Sequence, residues 1–191
     1  SDLCGMDTEI RDLTSDEARA IVYRASDQHI ATLDEALALC SSLNLWVMLD
    51  IKTFDNPPNS EQFFQRISDL LQVHNLTRTT VTISGHHLTQ KHLVGKVLFR
   101  VTNEEFKKVQ DGASVPLNHK FWFGLPEALP SEMVSKLQQN GALVMPAINT
   151  FRYPAHADRE LAHQDIERLL NAGVDGFQID SIYEDLFAKK K

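Results

Sequence analysis

Six short apolar runs recur along the chain, and each is rich in β-branched or aromatic residues. They are LWVMLDIK (45–52), TTVTISG (79–85), KVLFRVT (96–102), KFWFG (120–124), ALVMPAI (142–148) and GVDGFQI (173–179). None shows the regular alternation of a strand with one solvated face. Near-continuous apolarity over this length is typical of strands covered on both faces, as in a parallel sheet. We therefore predict six parallel strands, beginning near Leu45, Thr80, Lys96, Lys120, Ala142 and Gly176.

The segments between these runs carry signals for the starts and ends of helices. In the capping box T-x-x-E, the Thr hydroxyl and the Glu carboxylate satisfy backbone N–H groups that a helix leaves free. The chain has this box at Thr14 with Glu17, at Thr32 with Glu35, and at Thr102 with Glu105. Gly141 and Gly173 follow helical stretches directly before strands, which is the place of a left-handed C-terminal cap.

The intervals between the runs differ in the kind of connection that they predict. A 3.6-residue apolar period predicts an amphipathic helix between the first two strands, formed by Phe63, Phe64, Ile67, Leu70 and Leu71. The interval from Ser84 to Val97 is too short for a long helix. Loops are predicted at Pro57-Pro58 and at 111–119.

Strands and helices alternate throughout, which indicates βαβ units in a single α/β domain over residues 1–191. Such units form either an open doubly wound sheet or a TIM-type β/α barrel. No glycine-rich nucleotide loop follows any strand, so the doubly wound alternative lacks its usual support. Residues 1–44 supply two helical segments before the first strand, as expected of a barrel without its first two strands. The prediction is an incomplete barrel with about six of the eight strands.

Composition and charge narrow the choice of partners. Of 191 residues, 42% are hydrophobic and 24% are charged, which is ordinary for a globular domain. The formal net charge of −7 disfavours nucleic-acid phosphates and anionic lipid as partners. No apolar stretch approaches the roughly 20 residues of a membrane-spanning helix. We therefore expect a soluble protein, either cytoplasmic or secreted (periplasmic). Cys4 and Cys40 do not make a disulfide framework, and a buried free thiol is expected at Cys40.

Asp50 and Lys52 close the first predicted strand and form the most informative pair of charges. Their i, i+2 spacing places both side chains on one face, at the carboxyl end of a strand where barrels carry their chemistry. Asp50 could bind a hard divalent cation through oxygen, and Lys52 could hold a phosphate as a point charge. The structural alternative is a salt bridge at the rim. We predict a functional pair that points into the mouth of the barrel near Asn149.

Three further groups follow the ends of other strands. His86 and His87 follow the second run and could act as acid, base or ligand, although loop surface is the simpler interpretation. Asn149 and Arg152 follow the fifth run and suit an anionic ligand, unless Arg152 only stacks on a neighbouring aromatic ring. Asp180 closes the sixth run, where it could contact a ligand or cap the final helix; capping is the favoured interpretation.

Several motifs resemble the glycerophosphodiester phosphodiesterase family. The segment TLDEALALCSSLNLWVMLDIK (32–52) resembles its "P-T-L-E-E-A-L … l-n-I-E-I-K" block, and NAGVDGFQID (171–180) resembles its "G-V-D-G-I-I-T-D". IRDLT (10–14) resembles the "dlT" that precedes this block, and Asn149 falls where the family has the Asn of "W-T-V-N". The resemblance spans most of the chain in the right order. More distantly, DIKT resembles the "D-x-K" of the spider phospholipase D toxins.

The resemblance implies a β/α barrel that uses a divalent cation, Mg²⁺ or Ca²⁺, to hydrolyse glycerophosphodiesters to an alcohol and glycerol 3-phosphate. Asp50 would take the place of the third metal carboxylate, normally Glu, and Lys52 that of the catalytic, phosphate-contacting lysine. His86, Asn149 and Arg152 remain candidates for substrate contacts. The family's catalytic histidines ("H-R-G" and "H-D") and first two carboxylates ("E-x-D") have no counterpart in this sequence. The chain alone is therefore expected to be inactive.

Two other functions remain open. The barrel could bind or scaffold without catalysis, or it could be another phosphate-handling barrel in which Lys52 acts as a base or Schiff-base amine. A barrel without two strands also exposes sheet edges and apolar interior. We therefore expect a partner segment or self-association at the open edge.

Overall fold

A computed structural model describes residues 4–5, 7–52, 60–155 and 158–187, and also the backbone but not the side chain of Arg11. The predicted Pro57-Pro58 loop lies outside these residues. The described residues form seven short strands: β1 (Val47–Leu49), β2 (Thr80–Thr82), β3 (Leu98–Arg100), β4 (Lys120–Trp122), β5 (Leu143–Val144), β6 (Ala147–Ile148) and β7 (Gln178–Ile179). The α-helices are α1 (Ser15–Arg19), α2 (Leu33–Ser42), α3 (Ser60–Val73), α4 (His87–Leu93), α5 (Asn103–Gln110), α6 (Ser131–Gln139) and α7 (Asp158–Ala172). Short 3-10 helices lie at Ile10–Asp12, Pro126–Ala128, Thr150–Arg152 and Ser181–Phe187.

The strands pair in parallel and in chain order, which confirms the α/β class. β1 to β5 form one five-stranded sheet, and each neighbouring pair within it is parallel. Sequential parallel order with a helix after most strands is the arrangement of a β/α barrel. The sheet does not close within the described residues, as expected of an incomplete barrel.

The fifth apolar run forms two strands, β5 and β6, where a single strand was predicted. Pro146 lies between them and has no N–H to donate to a ladder. The path nevertheless continues beside β4, because the Met145 and Ala147 amides donate to the Trp122 and Gly124 carbonyls, each at 2.9 Å. β7 then pairs in parallel with β6 in a separate two-stranded sheet.

The helix signals are confirmed. All three capping boxes are formed, at the starts of α1, α2 and α5. Gly141 (φ +96°) and Gly173 (φ +80°) adopt the left-handed conformation after α6 and α7. The short interval before β3 holds only the seven-residue α4. The pair of helices predicted before the first strand is present as α1 and α2, together with an unpredicted antiparallel bridge between Val22 and His29.

Two buried clusters hold the helices against the sheet. One joins α2, α3 and α4 to β1, and it includes Leu37, Leu49, Phe64, Ile67, Leu71 and Leu93. The other joins α6 and α7 to β4, β5 and β6, and it includes Trp122, Leu137, Val144, Ile148, Ile166 and Leu169. Two predictions need correction. Phe63 is 48% exposed, with its edge against the Phe64 ring, and the free Cys40 is only half-buried.

One side of the sheet is unpaired along β1, whose strand partner is β2 alone among the described strands. Helix α2 and the segment that leads from it into β1 carry Leu39 and Leu43 (each 58% exposed), Leu45 (49%) and Trp46 (50%), which we call the edge surface. Exposed apolar side chains next to an open strand edge favour association with another chain. No helix in the described parts of the chain has the length and apolarity to cross a membrane.

Candidate functional site at the carboxyl edge of the sheet

The carboxyl ends of the parallel strands form one edge, which we call the carboxyl edge. Leu49, Val101 and Ile148 each pack into the helix-covered clusters. Since successive side chains of a strand point to opposite faces, the residues next to them face away from the helices. These neighbours are Asp50, Arg100 and Asn149. The sheet thus directs one charged or polar side chain from each of three strand ends to the face that a barrel encloses.

Asp50 and Lys52 form an ion pair, with 2.7 Å between Lys52 Nζ and Asp50 Oδ2. Their side chains are 48% and 74% exposed, so neither is packed under a helix. This geometry agrees with a rim salt bridge and also leaves two of the three Nζ donors of Lys52 for another anion. The hydrogen bonds and ion pairs of the described residues do not join the pair to Asn149. Proximity to Asn149 therefore stays a prediction.

His86 lies at the N-terminal end of α4 rather than in a free loop. Its Nδ1 accepts a hydrogen bond from the Leu88 amide at 3.3 Å, and its ring stacks on Phe64 with 5.4 Å between centroids. The His87 ring lies 4.5 Å away. The position is explained by helix capping, and a role in substrate binding stays a prediction.

Asn149 and Asp180 are joined in one hydrogen-bond network. Asn149 Nδ2 donates to Asp180 Oδ1 and to Gln178 Oε1, each at 3.2 Å. Asp180 Oδ2 accepts from the Thr150 amide at 2.7 Å and from Thr150 Oγ1 at 2.9 Å. The hydrogen bond from the Thr150 amide, helped by those from Thr150 Oγ1 and Asn149, lowers the pKa of Asp180.

This network has two consequences for the predicted roles. Asp180 does cap a helix, but through the Thr150 amide of the 3-10 helix at Thr150–Arg152 rather than the final helix. The amide donors of Asn149 are engaged by Asp180 and Gln178, so they are not directed at a ligand phosphate in this arrangement.

Arg152 lies in a packed and charge-balanced setting. Its side chain is 15% exposed, its Nη1 forms an ion pair with Glu127, and its guanidinium lies 5.7 Å from the centre of the Tyr153 ring. Its Nε is buried and has no hydrogen-bond partner among the residues that the structure describes. Burial, followed by the carboxylate of Asp165 that accepts from the Tyr153 hydroxyl at 3.1 Å, raises the pKa of Tyr153. These contacts agree with the stacked alternative for Arg152, and its role in binding stays a prediction.

Arg100 is a residue of the carboxyl edge that sequence reasoning missed. It ends β3, it is exposed, and its guanidinium lies 6.0 Å from the centre of the Phe123 ring. Among the described residues it has no carboxylate partner, in contrast to Lys52 and Arg152. The available signal was the charge itself, because Arg100 interrupts the apolar residues of the third run, between Phe99 and Val101.

A divalent cation would need more ligands than the described residues bring together. Within residues 4–5, 7–52, 60–155 and 158–187, no group of three or more His, Cys, Asp or Glu side chains has the geometry of a metal site. Asp50 alone, paired with Lys52, does not fit Mg²⁺ or Ca²⁺, which recruit several oxygen ligands. The described residues therefore do not form a cation site by themselves.

Neither a family model nor a curated protein matches the sequence. Solved structures do match the fold. A protein assigned as a glycerophosphodiester phosphodiesterase from Galdieria sulphuraria aligns with a TM-score of 0.61 at 18% identity, over 90% of this chain and 68% of its own. The glycerophosphodiester phosphodiesterase from Agrobacterium tumefaciens aligns with a TM-score of 0.60 at 15% identity, over 92% of this chain and 71% of its own. The chain therefore has the β/α barrel fold of the glycerophosphodiester phosphodiesterases, in an incomplete form.

Proposed function

We propose that the chain is part of a phosphodiester hydrolase that cleaves glycerophosphodiesters to an alcohol and glycerol 3-phosphate. The observation that carries the proposal is the Asp50–Lys52 pair at the carboxyl end of β1, in a fold shared with glycerophosphodiester phosphodiesterases. Charges at that end of a barrel strand are where this architecture places its chemistry.

In this proposal Lys52 binds the phosphate of the substrate. An ammonium group has three donors, so Lys52 can keep its hydrogen bond to Asp50 and still donate to a phosphate oxygen. Asp50 then holds the Lys52 amine in place, so that the amine contacts the phosphate from one side only. Both side chains are exposed, which allows a substrate to enter without movement of a helix.

The catalytic cation and the acid–base groups are not provided by the described residues. Asp50 would contribute one ligand to a Mg²⁺ or Ca²⁺ site whose other ligands lie elsewhere in the protein. General acid–base catalysis is worth on the order of 10²–10⁴-fold, so its loss alone makes hydrolysis by residues 1–191 very slow. We therefore expect the isolated chain to bind phosphate esters but not to turn them over.

A Schiff-base role for Lys52 is disfavoured by its surroundings. Amine nucleophiles are activated by desolvation or by a neighbouring cation. Lys52 is 74% exposed and lies beside a carboxylate instead. Borohydride trapping with a carbonyl substrate should therefore leave Lys52 unmodified.

The test compares two proteins in a metal-dependent assay with glycerophosphocholine. Residues 1–191 should show almost no hydrolysis, whereas the product of the complete reading frame should be active. In the active protein, Asp50→Ala and Lys52→Ala should each abolish hydrolysis, while Lys136→Ala, at a half-buried position on α6, should not. Full activity of the Asp50→Ala enzyme would refute the proposal. An inactive complete product that still binds the ester would favour the binding module instead, and robust turnover by residues 1–191 that is lost in His86→Ala would place the chemistry at β2.

A further inference from the structure

A pocket of about 300 Å³ lies at the carboxyl edge between the ends of β3 and β4. Its walls are mainly apolar and aromatic, and they include Val101, Phe106, Trp122, Phe123, Leu125 and Ala128. The polar side chains that line it are Arg100, Asn103 and Glu127. An apolar cavity with a few convergent polar groups is the usual form of a small-molecule site, and this volume suits a small ligand.

Charge balance distinguishes Arg100 from the other cations near this pocket. Glu127 is ion-paired with Arg152, so this carboxylate and this guanidinium neutralise each other. Lys52 is paired with Asp50. Arg100 has no carboxylate partner among the described residues, and it projects from a chain of net charge −7. An unpaired guanidinium over an aromatic ring is available to bind a phosphate in the bidentate geometry that arginine favours.

Strand register places Arg100 in line with Asp50. Leu49 pairs with Thr82, and Thr82 pairs with Phe99. One residue further along each strand, Asp50 and Arg100 lie at the same level on the same face, with one strand between them. Two strand spacings separate the backbones of Asp50 and Arg100 by about 10 Å. The long side chains of Lys52 and Arg100 can reach across this distance from opposite sides.

We infer that this pocket binds the apolar or aromatic alcohol substituent of an organic phosphate, and that Arg100 binds its phosphate group. The inference rests on the proposed function only for the identity of the substrate. Arg100 and Lys52 together bind the phosphate. Arg152 does not take part in phosphate binding, because its charge is already neutralised by Glu127. A side chain at position 124 would crowd this wall of the pocket, because a Cβ on Gly124 would lie 3.0 Å from the Trp122 ring.

The test is calorimetric titration of residues 1–191 with phenylphosphonate, which carries both an anion and an aromatic group and cannot be hydrolysed as an ester. Inorganic phosphate and benzyl alcohol are the single-feature comparisons. Arg100→Gln should weaken phenylphosphonate binding by about tenfold or more, equivalent to about 1.4 kcal/mol, and Arg100→Lys should give an intermediate affinity. Arg78→Gln is the matched control, because Arg78 is also exposed but precedes β2 at the opposite edge of the sheet.

Three results would overturn the inference. They are no binding of phenylphosphonate to the wild-type chain, equal affinity in Arg100→Gln, and inorganic phosphate binding as tightly as phenylphosphonate. Arg100 and Arg78 are both exposed, and near-ultraviolet circular dichroism verifies the fold of each variant. Binding through Arg100 combined with no hydrolysis by the complete reading frame would retain the pocket and reject the hydrolase, so the two proposals fail separately.

Discussion

The network around Asp180 gives a prediction of stability whose size follows from its hydrogen bonds. The Asp180 carboxylate accepts from the Thr150 amide, the Thr150 hydroxyl and the Asn149 carboxamide. Asp180→Asn keeps one acceptor oxygen, but it removes the charge and leaves at least one of these donors without a partner. A charged hydrogen bond contributes about 1.5–3 kcal/mol and a helix cap about 1 kcal/mol. Because Thr150 is exposed and water can replace part of the loss, we expect destabilisation of about 1–2 kcal/mol at pH 7.

The pH dependence supplies a second, independent check. The pKa of Asp180 is lowered in the folded protein, so its contribution is fully present above the unfolded value of about 3.9 and is lost as the pH falls through the folded value. Urea denaturation should show a constant gap between wild type and Asp180→Asn from pH 7 to about 5. The gap should narrow below about pH 4. Asp27→Asn is the control, because Asp27 is exposed and its side chain forms no hydrogen bond or ion pair with the residues that the structure describes. Equal stability at pH 7, or a gap that widens in acid, would refute the argument.

Two further predictions concern the glycine caps and the open edge. Gly141→Ala and Gly173→Ala should each lose about 1 kcal/mol in urea denaturation, because both positions are left-handed. Gly141→Ala should lose more, since its Cβ would lie 2.4 Å from Asn118 Oδ1 while Gly173 faces open space; equal losses would contradict the steric account. At the edge surface we propose that the chain self-associates when no other segment covers it. Analytical sedimentation should then show an apparent mass that rises with protein concentration. The apparent mass of Trp46→Lys should be lower than that of the wild type at the same concentration. A monodisperse wild-type monomer at high concentration would count against that proposal.

Most of the fold was predictable from local patterns. Near-continuous apolar runs and T-x-x-E boxes depend on neighbours within a few residues, so the strands and the starts of α1, α2 and α5 could be located from the sequence. The split of the fifth run shows the limit of this reasoning. Pro146 stands inside an apolar run that favours a strand by composition, and the run forms β5 before it and β6 after it. Recognition of that proline as a strand break would have predicted two strands in place of one.

The candidate site was less predictable because its charge balance depends on distant partners. Arg152 and Glu127 are 25 positions apart, and no local pattern shows that they meet. His86 was treated as a loop residue, although its ring caps α4 and stacks on Phe64 of α3, which again depends on the packing of two helices. By contrast, the Asp50–Lys52 contact follows from i, i+2 spacing alone.

The cations along the carboxyl edge differ in whether a carboxylate already pairs with them or whether they can still bind an anionic ligand. Arg152 has a carboxylate partner, an aromatic contact and little exposure, so its substitution would first disturb the loop after β6. Arg100 has an aromatic contact and, within the described part of the chain, no carboxylate partner, so an incoming anion has no ion pair there to displace. Lys52 lies between these cases, because it is paired but most of its side chain remains in solvent. This difference supports our proposal that an anionic substrate binds between Lys52 and Arg100, with its alcohol in the pocket beside Phe106 and Trp122.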